Sequence, residues 1–174
     1  RTRHLTIDRY ITTSLSGLHR QGHNGMRKPA SVNCSIVRAL GEVGEGWSLI
    51  FIREAIMGST RFDEFHARSG VARNILTSQL TSLVKHGVMS RTASLENSRI
   101  YHYRLTDKGA ELLPVLIALM QWGDRWIHAG VGPPVVVTDA QAGHPVRMVQ
   151  VSGLDGRALT PQDIKIMAGP GATE

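Results

Sequence analysis

The sequence predicts a mainly α-helical fold with one small β-hairpin, followed by a small β-rich C-terminal extension. Three observations predict it. Four segments with helical apolar spacing follow one another between residues 31 and 86. Two short β-prone runs come next, Val88–Ala93 and Arg99–Leu105. A long apolar helical pattern then runs to about Ile127, and after His128 the composition turns to Gly, Pro and Val.

Composition sets the bounds. The chain has 174 residues, of which 41% are hydrophobic, enough for one packed domain with tails. The longest apolar run, Val115–Met120, is far short of the roughly 20 residues that span a bilayer. No stretch joins a charged start, an apolar middle and a small-residue cleavage site, so the expectation is a soluble cytoplasmic protein. A single cysteine, Cys34, excludes an internal disulfide and a cysteine-rich zinc cluster. The net charge is +6, and its placement matters more than its size. Residues 1–28 hold six basic residues against one acid, and residues 47–106 hold eight against four. The second excess lies within the predicted fold and points toward an anionic partner, although a solvated charged surface would read the same way.

The elements follow in order. Residues 1–30 mix Gly, Ser, Thr, Arg and His and read as a flexible tail, with a marginal helix over 5–19. Ser31 is placed to cap a helix through Cys34, Ile36, Val37 and Leu40 that ends at Gly41. Trp47–Met57 is apolar around most of its circumference and belongs at the centre of the core, with Gly58 ending it. Arg61–Arg68 is a short helix around Phe62 and Phe65. After Ser69-Gly70 comes Ala72–His86, whose Ile75, Leu76, Leu80, Leu83 and Val84 share one face. Its other face holds Arg73, Asn74, Thr77, Ser78, Thr81 and Ser82 and no acid. The two β-prone runs, joined by Ser94–Ser98, make a hairpin. Thr106 then caps the long helix, which Pro114 is expected to kink or break near its first turns. Val135–Val137 and Val146–Val151 read as short strands, Ser152–Gly156 as a turn, and 168–174 as a frayed end. The domains expected are therefore a tail at 1–30, a body at 31–128 and an extension at 129–174.

A short helix, a tight Gly-containing turn and a second helix make a helix-turn-helix, and a following hairpin makes the winged variety. A helix that enters the major groove needs an apolar face to anchor it and a face of donors and acceptors toward base edges and phosphates. Acids there would repel phosphate, and Ala72–His86 has none.

Residues Cys34–Gly123 resemble the HxlR-type winged helix-turn-helix transcriptional regulators, relatives in fold of the MarR group. The resemblance rests on Cys34-Ser-Ile-Val-Arg-Ala-Leu40, Trp47-Ser-Leu-Ile-Phe-Ile-Arg-Glu54, Arg61-Phe-Asp-Glu-Phe65 and Ile75-Leu-Thr-Ser-Gln-Leu80. It continues through His86-Gly-Val88, Arg99-Ile-Tyr-His-Tyr-Arg-Leu-Thr106, Lys108-Gly109, Leu112-Leu-Pro-Val-Leu116 and Trp122-Gly123. The chain departs from the pattern at Ser35, where the family often has Pro, and at Ser94-Leu-Glu-Asn-Ser98, where its wing is often Pro-rich.

The resemblance implies a homodimer on pseudo-palindromic double-stranded DNA, acting as a repressor. Two recognition helices (72–86) would sit roughly 34 Å apart, each flanked by a wing (88–105). The dimer would form through the first helix and the long helix around Asp107–Ile127. Arg73, Asn74, Thr77 and Ser78 would face the major groove. Arg61 would meet a phosphate, Arg99 a phosphate or the minor groove, and Arg91 is a weaker candidate. Cys34 has two readings that the sequence leaves open: a thiol sensing oxidants or electrophiles, or a small core residue. The effector is not named by any motif.

Other classes fare worse. Gly41–Gly46 joins two helices rather than a strand to a helix, so it is not a nucleotide loop. The eight histidines are scattered, residues 128–174 hold no cysteine and only His128 and His144 among their histidines, a poor metal site, and no catalytic, metal or cofactor site is expected. At 5% aromatic residues there is no visible platform for RNA bases. The rival from a different class is a winged-helix protein-interaction module that does not bind DNA.

Overall fold

The structure is a computed structural model and describes residues 35–44, 46–127, 130 and 132–167. The expected tail, the Ser31 cap and Cys34 lie outside the described residues. The chain divides into two compact units, one ending at Glu111 and one beginning at Leu112.

In the first unit, α1 spans Ser35–Val43, α2 Gly46–Ile56, α3 Phe62–Ser69 and α4 Arg73–Lys85. Strands β1 (Met89–Ala93) and β2 (Tyr101–Leu105) form an antiparallel hairpin, and a short helix α5 (Asp107–Ala110) follows. Phe51 and Ile52 of α2 are fully buried, but the helix is not enclosed all round as its apolar circumference predicted: Trp47, Leu49 and Ile50 are half-buried and Ile56 is exposed, while Ser48 and Glu54 are buried. Around them lie Phe65, Val71, Leu76, Leu80, Leu83, Val88 and Met89, all buried. Each such side chain contributes roughly 1.5–3 kcal/mol relative to exposure. Phe65 stands edge-on between Phe51 and Tyr103, at 6.4 and 6.3 Å, and so ties α2, α3 and β2 together.

Four glycines set the helix ends. At Gly58 (φ 96°) the amides of Gly58 and Ser59 return to the carbonyls of Ala55 and Glu54. At Gly87 (φ 69°) those of Gly87 and Val88 return to Val84 and Leu83, the same pairing. At Gly70 (φ 64°) a single bond to the His66 carbonyl closes α3. Gly41, in contrast, does not stop α1. The helix runs through it to Val43, because a Cβ-free position facing open space is tolerated, and Gly44 (φ 84°) ends it.

The hairpin pairs Met89 with Leu105 and Ala93 with Tyr101. The first strand begins at Met89, and Arg99 sits in the connecting turn rather than in a strand. The Asn97 side chain accepts from the Arg99 amide (3.0 Å) and thereby draws residues 97–100 into that turn.

Thr106 caps α5 through its hydroxyl, which accepts from the Gly109 amide (3.2 Å) and donates to the Gly87 carbonyl (2.6 Å). A Cβ at Gly109 would lie 2.2 Å from the Val88 carbonyl oxygen, so only glycine fits there. The expected break falls at Glu111–Leu112. Pro114 has no N–H for the Ala110 carbonyl and its ring would collide with it, so α5 stops and a new helix begins with Pro114 in its first turn.

The second unit holds α6 (Leu113–Trp126) and the extension. The Gln121 side chain accepts from the Val149 amide (2.8 Å) and donates to the Arg147 carbonyl (3.0 Å), as a strand neighbour would. The expected strands at 135–137 and 146–151 do not form. Instead two tight turns each close on a single bridge, Thr138 with Pro145 and Ser152 with Ala158. Pro133, Pro134 and Pro145 lack the donors that a longer ladder needs. A 3-10 turn, Pro161–Asp163, follows, its first amide at Thr160 donating to Asp163 Oδ2 (2.8 Å).

Candidate nucleic-acid interface

Helix α4 has two chemically opposite faces. Leu76, Leu80 and Leu83 are buried, while Arg73, Asn74, Thr77 and Ser78 are all exposed. The helical period places the four polar residues together over the first two turns. Gln79, half-buried at the margin, receives the Ser48 hydroxyl (2.6 Å) and so fixes α4 against α2. Thr77 donates its hydroxyl to the Arg73 carbonyl (2.8 Å), which leaves its oxygen lone pairs outward as acceptors.

The charge pattern of this face differs from the one read along the sequence. Within Ala72–His86 there is no acid, but α3 supplies one across the turn. Asp63 Oδ1 lies 3.2 Å from Arg73 Nη2, and the Arg73 guanidinium carbon lies 5.6 Å from the centre of the Phe62 ring. A reading confined to one helix cannot see this pairing, because it joins residues ten positions apart through a turn.

Arg61 is exposed and immediately precedes α3. Its backbone bridges to His102 of β2, and the Tyr103 amide donates to the Thr60 carbonyl (2.7 Å), so the α3 entry is held to the hairpin. The amides of Thr60 and Arg61 both donate to Glu64 Oε2, at 2.7 and 2.9 Å. Burial pushes the Glu64 carboxyl up, yet those two amides and the Arg61 and Arg68 charges outweigh it and hold it below the ordinary 4.5. That helix start is therefore already filled by a carboxylate, and only the Arg61 side chain remains to meet an anion.

On the hairpin, Arg99 is exposed in the turn. Arg91 lies over the Tyr101 ring with its guanidinium carbon 3.5 Å from the ring centre, so its plane is fixed on the wing. Arg104 is also exposed on β2 and was not singled out by the sequence; a single basic residue in a strand gives no signal. The structure thus groups Arg73, Asn74, Thr77 and Ser78 on one surface. Arg61 and the wing arginines stand on the elements bonded to each other beside it. Cys34 lies outside the described residues.

Behind the face, Glu54 is fully buried between Arg53, which pairs with it, and Arg68 at 3.8 Å. Lys108 pairs with Glu42 and donates to the His86 carbonyl (3.0 Å), which engages the last turn of α4. Among the described residues no three His, Cys, Asp or Glu side chains gather as a metal site, and no helix is long and apolar enough to cross a membrane.

Comparison with known proteins agrees with this geometry. Residues 42–130 match the HxlR-like helix-turn-helix family. A protein of Mycobacterium tuberculosis named as an HTH-type transcriptional regulator is 33% identical over 137 residues, covering 79% of this chain and 87% of that protein. The crystal structure of PA1607, described as a candidate transcription factor, is 38% identical with a TM-score of 0.75, over 80% of this chain and 97% of that one. A second candidate transcription factor, PA1374 of Pseudomonas aeruginosa, is 37% identical with a TM-score of 0.57, over 81% and 96%.

Proposed function

The chain belongs to the HxlR-like helix-turn-helix family of transcriptional regulators, and from that premise we propose that it is a sequence-specific repressor acting as a homodimer on pseudo-palindromic duplex DNA. The observation that carries the reading is the two-faced helix α4, with leucines buried behind and Arg73, Asn74, Thr77 and Ser78 exposed in front. Those four residues meet the major groove. Arg61 and Arg99 meet the phosphate backbone, Arg99 from the wing. Residues 31–128 form the DNA-binding and dimerising body, with a tail at 1–30 and an extension at 129–174, and the protein works in the cytoplasm. Trp122 and Trp126 of α6, 56% and 67% exposed, favour a second copy covering that helix. Cys34, which immediately precedes α1 in the sequence, makes the binding responsive to oxidants or electrophiles.

Selection of bound duplexes from a random pool by the full chain, with and without hydrogen peroxide, tests the whole reading. A two-fold symmetric site is expected, with binding altered by peroxide in the native chain and not in Cys34→Ser. Arg73→Ala combined with Asn74→Ala is expected to weaken binding to the selected site by roughly 5- to 150-fold for each base-reading side chain removed. Enrichment of no duplex at low salt would leave the protein-interaction reading instead.

A further inference from the structure

Arg73 opens the exposed face of α4, yet it does not stand there as a bare cation. Asp63 and Phe62, both in the first turn of α3, hold its guanidinium from two sides, at 3.2 Å to the carboxylate and 5.6 Å to the ring centre. Arg73 and Asp63 remain 64% and 73% exposed, so the pair lies at the outer surface and does not brace the core. A guanidinium carries five N–H donors in a rigid fork, and Asp63 engages it through a single nitrogen. The rest of the group keeps its exposure to solvent.

We propose that Asp63 is a specificity-determining residue of the DNA-reading face: it cancels the net charge of Arg73 and fixes its plane over Phe62, so that Arg73 reads a base edge rather than any phosphate. The inference rests on the DNA-binding reading above and deepens it. Binding without regard to sequence is driven by cations that displace counterions from phosphates. A pair of zero net charge supplies little of that drive. Reading a base depends on the direction of the donors, and a side chain already oriented loses less freedom when it docks. The carboxylate therefore subtracts more from phosphate binding than from base reading, and it widens the gap between the right duplex and a wrong one.

The test uses the full chain, the duplex from the selection above and a scrambled duplex of equal length, titrated by fluorescence anisotropy over a range of salt. Asp63→Asn is expected to raise affinity for the scrambled duplex about two- to fivefold, the size of an exposed ion pair. Affinity for the selected duplex is expected to rise less, or to fall. The salt dependence on the scrambled duplex is expected to steepen by about 0.9 in log–log slope, the effect of one more neutralised phosphate. In an Arg73→Ala background the same substitution is expected to leave the ratio of the two affinities unchanged. The inference is overturned if Asp63→Asn leaves that ratio unchanged in the otherwise native chain, or if it shifts the ratio equally with Arg73 absent. A native chain that binds neither duplex would instead overturn the DNA reading, and this inference with it.

Discussion

At the entry to α3 two backbone amides, those of Thr60 and Arg61, converge on the Glu64 carboxylate. The residue at the cap position is Arg61, whose side chain makes no cap bond, so Glu64 reaching back from the third helical position satisfies the helix start alone. The sign of its pH dependence follows from its lowered pKa. Its contribution to stability is fully present above the ordinary value of 4.5 and is lost as the pH falls through the lower value it has in the folded chain. Glu64→Gln is expected to cost about 1 kcal/mol at neutral pH, the usual worth of a helix cap. The difference from the native chain should shrink in acid, where the native carboxyl is protonated too. Urea unfolding of both proteins at neutral pH and in acid measures it, and a difference that does not change with pH would contradict it.

At the scale of elements, helix α4 and the hairpin were legible because their signals are local, apolar periodicity in the one and β propensity in the other. Five apolar residues on one face specify α4, and Tyr101 and Tyr103 specify the second strand through their β propensity, whereas Ile100, read as part of that strand, lies in the turn before it. The break before α6 was legible because Pro114 removes a donor wherever it stands. What stayed hidden was anything that depends on a neighbour in space. Asp63 beside Arg73, the Ser48–Gln79 bond and the burial of Glu54 have no spacing that announces them. The strands expected in the extension illustrate the opposite error: β-prone valines were present, but each turn closes on only a single bridge, and at the first of them Pro145 itself brings no donor. The wing offers a test at this scale. If Arg99 meets phosphate, Arg99→Ala lowers affinity for selected and scrambled duplexes by a similar factor and reduces the salt slope by about 0.9. An effect confined to the selected duplex would mean that Arg99 reads sequence.

At the scale of the whole molecule the two units are packed very differently. Among the described residues the first buries ten apolar side chains, whereas none from Leu112 onward is buried. A unit without an interior holds its shape poorly unless something covers it. Trp122→Ser with Trp126→Ser is therefore expected to shift the proposed homodimer toward monomer, read by light scattering on a sizing column, and to weaken binding to a two-fold symmetric duplex. A double variant that remains dimeric would place the interface elsewhere.

The left-handed glycines at positions 58, 70 and 87 carry a further consequence. Because α2, α3 and α4 are each terminated by backbone geometry, the outward side chains of α4 take no part in deciding where that helix stops. Helix-compatible replacements at those positions leave the C-terminal stop at Gly87 in place. If α4 reads DNA as proposed, the target preference can change at single outward positions while the glycine-set ends of the helix stay where they are.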